Sequence, residues 1–204
     1  GVGEKTGSLL TNRATQSLRQ PGSSIKPIAV YAPALDLGVI TPATVIDDSP
    51  YSFDGEGGSP WPVNAVGYYS GLTNVYTAVE ESMNTVAVKV LGYYTSSQVA
   101  FDFLANNLGL STDHLVVQEE INGTTYSVIG LAQMALGGLT NGVTTLEMAA
   151  AYAAFPRGGL YIEPRTYTRV EQTDQHTGVV TVLLDNVQES HAAMKDSTAW
   201  YITN

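Results

Sequence analysis

Ser23 and Lys26 stand three residues apart in Arg19-Gln20-Pro21-Gly22-Ser23-Ser24-Ile25-Lys26-Pro27, where a glycine-punctuated loop gives way to helical periodicity. Residues i and i+3 of a helix share a face, so the lysine nitrogen can reach the serine oxygen. A neutral, partly buried lysine could take the serine proton and leave a nucleophile for covalent attack on a carbonyl. A serine at a helix start also lies among free backbone N–H groups, which favour a developing oxyanion. Pro27 suits a first helical turn, where its missing N–H is not needed. The same letters equally describe an N-cap serine followed by a surface lysine, and S-x-x-K alone does not separate the two. A second candidate set is Glu80-Glu81-Ser82-Met83-Asn84-Thr85, which breaks two helical stretches. From such a loop the Ser82 hydroxyl could relay a proton between a lysine and a leaving amine. The Asn84 carboxamide could hold both a lysine and a substrate peptide group. Taken alone, S-x-N is also an ordinary helix boundary.

The elements that must position these residues can be read from periodicity and breakers. A central, buried helix is expected from Ser23 to about Leu37, stopped by Gly38. Residues 39–64, rich in Pro and Gly, read as a long surface excursion with one short strand at Ala43 to Ile46. Helices are then expected at Leu72 to about Glu81, Thr85 to Leu91, Ser97 to about Leu108, Val128 to Leu136 and Thr145 to Phe155. The third is capped at Ser96 or Ser97 and the last at Thr144 or Thr145. Tyr161 to Val170 and Val179 to Leu184 are rich in β-branched and aromatic residues around a Gly-containing turn, which predicts an antiparallel hairpin. A last helix opens near Ser197. The organisation expected is 1–38 around the nucleophile helix, 39–64 extended, 65–158 mainly helical, and 159–204 a hairpin with the start of a helix.

Composition narrows the partners. With 204 residues, 44% of them hydrophobic, the chain can build one substantial core. Nineteen acidic against nine basic residues give a net charge of -10, which argues against a nucleic-acid backbone or an anionic lipid surface as partner. There is no cysteine, so disulfide and thiolate chemistry are excluded. His114, His176 and His191 are far apart and without metal-ligand spacing; each reads as a surface or loop residue, and zinc is not expected. No apolar run approaches the ~20 residues that cross a bilayer, and no signal-peptide layout opens the chain, so a membrane tether of the parent protein would lie outside it.

The two candidate sets occur in a fixed order and in company. Asn12-Arg13-Ala14-Thr15 leads into the Ser23 block; Pro62-Val63-Asn64 and Tyr69-Ser70-Gly71 precede Glu81-Ser82-Met83-Asn84-Thr85-Val86-Ala87-Val88-Lys89; Ala135-Leu136-Gly137-Gly138, Gly142-Val143-Thr144-Thr145-Leu146-Glu147-Met148-Ala149 and Gly158-Gly159-Leu160-Tyr161 follow. In these blocks, which cover nearly the whole chain, it resembles the transpeptidase domain of class A, bifunctional penicillin-binding proteins. The resemblance implies an α/β (α+β) fold of the penicillin-binding and serine β-lactamase type, with helices packed on an antiparallel sheet and an all-helical lobe. It implies that Ser23 attacks the D-alanyl-D-alanine carbonyl of a peptidoglycan stem peptide, with Lys26 as base. Ser82 would carry the proton to the departing D-alanine and Asn84 would position Lys26 and the substrate amide. β-Lactams would acylate the same serine, and no metal or organic cofactor would be needed. A membrane-anchored parent with a glycosyltransferase domain, working on the extracytoplasmic face of a bacterial membrane, is implied as well.

The chain departs from that pattern in one respect. The family carries a third element, K-T-G or K-S-G, on a strand that follows the other two, and nothing after Asn84 matches it. Lys5-Thr6-Gly7 has the letters but precedes Ser23, and reads as a decoy. The expectation is a C-terminally truncated domain with an incomplete sheet, in which 191–204 corresponds to the helix before the third motif. Activity of this chain alone is then doubtful, and a non-catalytic penicillin-recognising or interaction domain is the alternative, with a serine β-lactamase as a third. Glu163 beside Pro164 reads as a strand-edge surface residue rather than a deacylating glutamate, Asn122-Gly123 as a turn, and Lys89 as a helix-surface lysine.

Overall fold

A computed structural model describes residues 7, 11–52, 58–115, 118–121, 124–127, 129–139 and 141–204. Lys5 and Thr6 of the K-T-G letters lie outside the described residues, as do Asn122 and Gly123. Helix α1 (Arg13–Gln16) opens on Asn12, whose side chain accepts from the Ala14 N–H. The central helix then runs through residues 22–36 in three windings: a 3-10 turn at Gly22–Ile25, a π segment at Pro27–Tyr31, and α2 (Ala32–Asp36). Pro27 and Pro33 each sit in the first turn of a segment, where no N–H is needed. The π winding closes by the Ala32 N–H reaching the Pro27 carbonyl. Ile25, Ile28, Ala29, Val30, Tyr31, Ala32 and Ala34 have no exposed surface, as expected of a helix that is apolar all round.

Strand β1 (Val45–Asp48) pairs antiparallel with β2 (Gly71–Asn74), Val45 opposite Asn74 and Asp48 opposite Gly71. The strand therefore lies two residues beyond the expected start, and the helix expected from Leu72 begins only at Val75. Asn74 ends the strand by capping α3 (Val75–Glu80), its side chain accepting from the Thr77 N–H at 2.8 Å. Next come α4 (Asn84–Lys89), continued by a π segment Val90–Tyr94, and α5 (Ser97–Asp102), capped by Ser96 and continued by a π segment Phe103–Asn107. A short α6 (Thr112–Leu115) precedes an antiparallel pair that the helical periodicity does not predict, β3 (Gln118–Ile121) with β4 (Thr124–Ser127).

Helix α7 (Leu131–Leu136) ends on Gly137, and α8 (Thr145–Tyr152) begins with a capping box between Thr144 and Glu147. Glu147 also accepts from the Ser111 N–H and touches His114 Nδ1 at 2.8 Å, so His114 is a half-buried partner of α8 rather than a free surface residue. Burial pushes the Glu147 carboxyl up, but the hydrogen bonds from Ser111, Thr144 and His114 outweigh it and hold the group below its ordinary range. Strands β5 (Leu160–Ile162), β6 (Arg169–Thr173), β7 (Val180–Asp185) and β8 (Ser190–Ala192) follow, then α9 (Asp196–Thr203). The expected single strand from Tyr161 to Val170 is split at 163–168: β5 pairs with β8, and only β6 pairs with β7. Glu163 is exposed just past β5, its N–H on the Glu189 carbonyl. Among the described residues the strands form four two-stranded antiparallel sheets. The core lies among the central helix, α4, α7 and the segments after α4 and α5, with Val86, Val88, Leu91, Leu104 and Met134 fully buried.

Candidate active site

Three of the four candidate residues meet at one point. Lys26 is 2% exposed, and its Nζ donates to Asn84 Oδ1 at 2.6 Å, to the Ser82 carbonyl at 2.6 Å and to Ser82 Oγ at 3.2 Å. Burial lowers its ionisation from the ordinary lysine value to about 8. Ser23 lies one 3-10 turn earlier, where residues i and i+3 eclipse, and its carbonyl accepts the Lys26 N–H. The Ser23 side chain is exposed and makes no hydrogen bond among the described residues, so its hydroxyl is open to a reactant.

The loop that presents Ser23 is fixed from three sides. Arg19 and Val143 exchange backbone hydrogen bonds at 2.9 and 2.8 Å. The Gly22 N–H reaches the Gly137 carbonyl, and Tyr152 Oη of α8 donates to the Ser24 carbonyl at 2.7 Å. Gly137 has φ 75°, and a Cβ there would overlap the backbone of Gly22, so the left-handed conformation and the close approach both demand glycine. An open groove of about 430 Å³ between this loop and α8 is lined by Arg19, Pro21, Ser24, Met148 and Tyr152; neither Ser23 nor Lys26 faces it.

Ser82 sits where helices usually place glycine. The Ser82 N–H bonds the Val79 carbonyl and the Met83 N–H the Ala78 carbonyl, which is the paired C-terminal closure of a helix with residue 82 in the left-handed position. Its φ is 52°, and it is the non-glycine residue with positive φ among those described. A serine there costs about 1 kcal/mol or more relative to an unstrained backbone. The gain is a hydroxyl and a carbonyl both turned onto Lys26.

Sequence reasoning missed the residues that hold Asn84. Asn64 Oδ1 accepts from the Asn84 N–H at 2.9 Å, while Asn84 Nδ2 donates to the Val63 carbonyl at 2.8 Å. Asn64 Nδ2 in turn donates to both oxygens of the fully buried Asp48, at 2.9 and 3.0 Å. Lys89 is buried, not on the surface: its Nζ donates to the Asp47 carbonyl at 2.7 Å and to Ser49 Oγ at 2.9 Å. Asn64 fell within a block noted for its letters, but the partnership with Asp48 leaves no local pattern. Among the described residues no group of three or more His, Asp or Glu side chains is placed to hold a metal.

Comparison with known proteins gives the chain that carries this geometry a family. The penicillin binding protein transpeptidase domain profile matches residues 2–204. The chain is 39% identical over 200 residues to penicillin-binding protein 1A of Clostridium acetobutylicum, covering 93% of this chain and 22% of that protein. Penicillin-binding protein 1A of Haemophilus influenzae, a crystal structure, superposes with a TM-score of 0.70 at 27% identity, covering 94% of this chain and 30% of that one. An imipenem acyl-enzyme complex of penicillin-binding protein A from M. tuberculosis shares the fold, with a TM-score of 0.70 at 20% identity over 95% of this chain and 44% of that one. The chain belongs to the penicillin-binding protein transpeptidase family, among the domains of its class A members. It spans about a fifth of the length of the curated relatives it matches.

Proposed function

We propose that the chain is the part of a D,D-transpeptidase that carries the nucleophile, the base and the proton relay of peptidoglycan cross-linking. The convergence of Lys26 with Ser82 and Asn84, one turn from an open Ser23, is the observation that carries this reading. As an ammonium, Lys26 has three N–H bonds for three acceptors. As a neutral amine it keeps two, directed at the Ser82 carbonyl and Asn84 Oδ1, and its lone pair is free to take a hydroxyl proton. Ser23 Oγ attacks the carbonyl of the penultimate D-alanine of a stem peptide and its proton passes to Lys26. The Ser23 backbone N–H offers one donor to the oxyanion. The C–N bond to the terminal D-alanine breaks as Lys26, through Ser82, returns the proton to the departing amine. An amine of a neighbouring stem peptide then attacks the ester; the new C–N bond forms, a proton of that amine passes to Lys26, and Lys26 returns it to Ser23 Oγ as the ester C–O bond breaks. A β-lactam follows the first half, but its leaving amine stays tethered. On this reading the parent protein works at the extracytoplasmic face of a bacterial membrane, to which it is anchored outside this chain, and carries a glycosyltransferase domain.

The test uses the natural protein that carries this chain and a fluorescent penicillin. A stable adduct is expected on Ser23, absent in Ser23→Ala. Because Lys26 ionises at about 8, about a tenth of it is neutral at pH 7, so the labelling rate should climb roughly tenfold to a plateau above pH 9. Lys26→Arg, always charged, should label at least about a hundredfold more slowly. A folded protein that takes no label would instead be a non-catalytic interaction domain, and rapid release of the label would mark a β-lactamase.

A further inference from the structure

We propose that Asp48 and Asn64 are positioning residues that set the Asn84 carboxamide against Lys26. The proposal deepens the transpeptidase reading and rests on it. Helix α4 begins at Asn84, but the residue before it is Met83, which has no side chain able to cap the helix. Asn64, 20 residues upstream, supplies the missing acceptor: its Oδ1 takes the Asn84 N–H at 2.9 Å, the Thr85 N–H at 3.3 Å and the Thr85 hydroxyl at 3.1 Å. A carboxamide can face two ways, and here Asp48 decides. Its carboxylate is fully buried, accepts only, and receives Asn64 Nδ2 on both oxygens as well as the Ser70 N–H at 2.8 Å. A flipped Asn64 would set its oxygen against the carboxylate and its NH₂ against the N–H groups of Asn84 and Thr85. Among the described residues Asp48 has no cationic partner, so these hydrogen bonds are what hold it.

The arrangement closes on itself. Lys89, one turn further along α4, bonds the Asp47 and Ser49 carbonyls on either side of Asp48. Val63 takes Asn84 Nδ2, which leaves Asn84 Oδ1 for Lys26. Helix α4 is thus tied to the end of β1 at its first residue through Asn64 and at its last through Lys89, and the amide that holds the proposed base inherits its place from a buried carboxylate that touches no reactant. Displacing a reacting group by about 1 Å can slow chemistry about a hundredfold, and losing a supporting hydrogen bond behind a functional side chain costs about ten- to a hundredfold.

The experiment measures the acylation rate constant and the dissociation constant of the initial penicillin complex in the natural protein, for Asp48→Asn and Asn64→Ala. The rate constant is expected to fall about ten- to a hundredfold with the dissociation constant changed less than about threefold. In an Asn84→Ala background neither substitution should cause a further loss, because both act through Asn84. NMR titration of the Lys26 side chain, which needs no penicillin, should show its midpoint displaced in both variants, together with faster exchange of the Asn84 and Thr85 amides. Folded variants with wild-type acylation, an unmoved Lys26 midpoint, or losses that multiply in full on Asn84→Ala would overturn the proposal. Failure of the parent reading shows differently: the wild-type protein itself would leave Ser23 unlabelled while the titration still reports on Asp48 and Asn64.

Discussion

The strain at Ser82 predicts a trade between stability and chemistry. Glycine adopts φ 52° at no steric cost, although it gives up more chain entropy on folding. Ser82→Gly should therefore raise stability by about 0.5 kcal/mol in denaturant titration. On the proposed mechanism it should also slow Ser23 acylation about a hundredfold or more, as loss of a proton relay does. Equal or lower stability would show that the serine relieves its own strain through Lys26. At this scale the sequence revealed the four candidate residues but not their supports. Ser23, Lys26, Ser82 and Asn84 stand out because two short patterns occur in the right order. Asp48, Asn64 and Lys89 do not, since each looks like an ordinary turn or surface residue until chain segments 16 to 42 residues apart are brought together.

Among the elements, the contact between the turn at Gly137 and the start of the central helix carries the sharpest expectation. Gly137→Ala must give up the left-handed turn or push Gly22 away, and should cost about 2 kcal/mol or more in thermal or denaturant unfolding. Because Gly22 adjoins Ser23, acylation should slow as well. Gly138→Ala is the comparison: a Cβ there meets nothing within 4 Å, and the change should stay within about 0.5 kcal/mol. The elements that periodicity revealed are those whose signal is local in sequence: the continuous apolar run of the helix at 22–36, the Ser96 cap of α5, and the capping box of α8. Those it misplaced depend on pairing. Gly71–Asn74 has residues acceptable to a helix and becomes a strand because β1 lies beside it. Leu160–Ile162 leaves the expected hairpin because Ser190–Ala192 is its partner.

For the molecule as a whole, the β6–β7 pair stands apart from the core. Every residue of both strands is exposed, including Val180, Val182, Leu183 and Leu184, and both outer edges lack a neighbouring strand among the described residues. Such a pair is marginal in water and a template for edge-to-edge association. This chain in isolation should associate with rising concentration in light scattering despite its charge of -10, and Val182→Lys with Leu184→Lys should suppress the association while leaving the melting temperature within about 2 °C. An unchanged scattering curve would assign the association to another face. The anchors of Lys26 have a different consequence. They lie 56 and 58 residues along the chain, so no local fragment can hold or bury Lys26 as the assembled fold does. On the proposed mechanism, reactivity at Ser23 is then a property of the assembled molecule, and a covalent penicillin label would count native molecules rather than polypeptides, which would make it a quality gauge for any preparation of this protein.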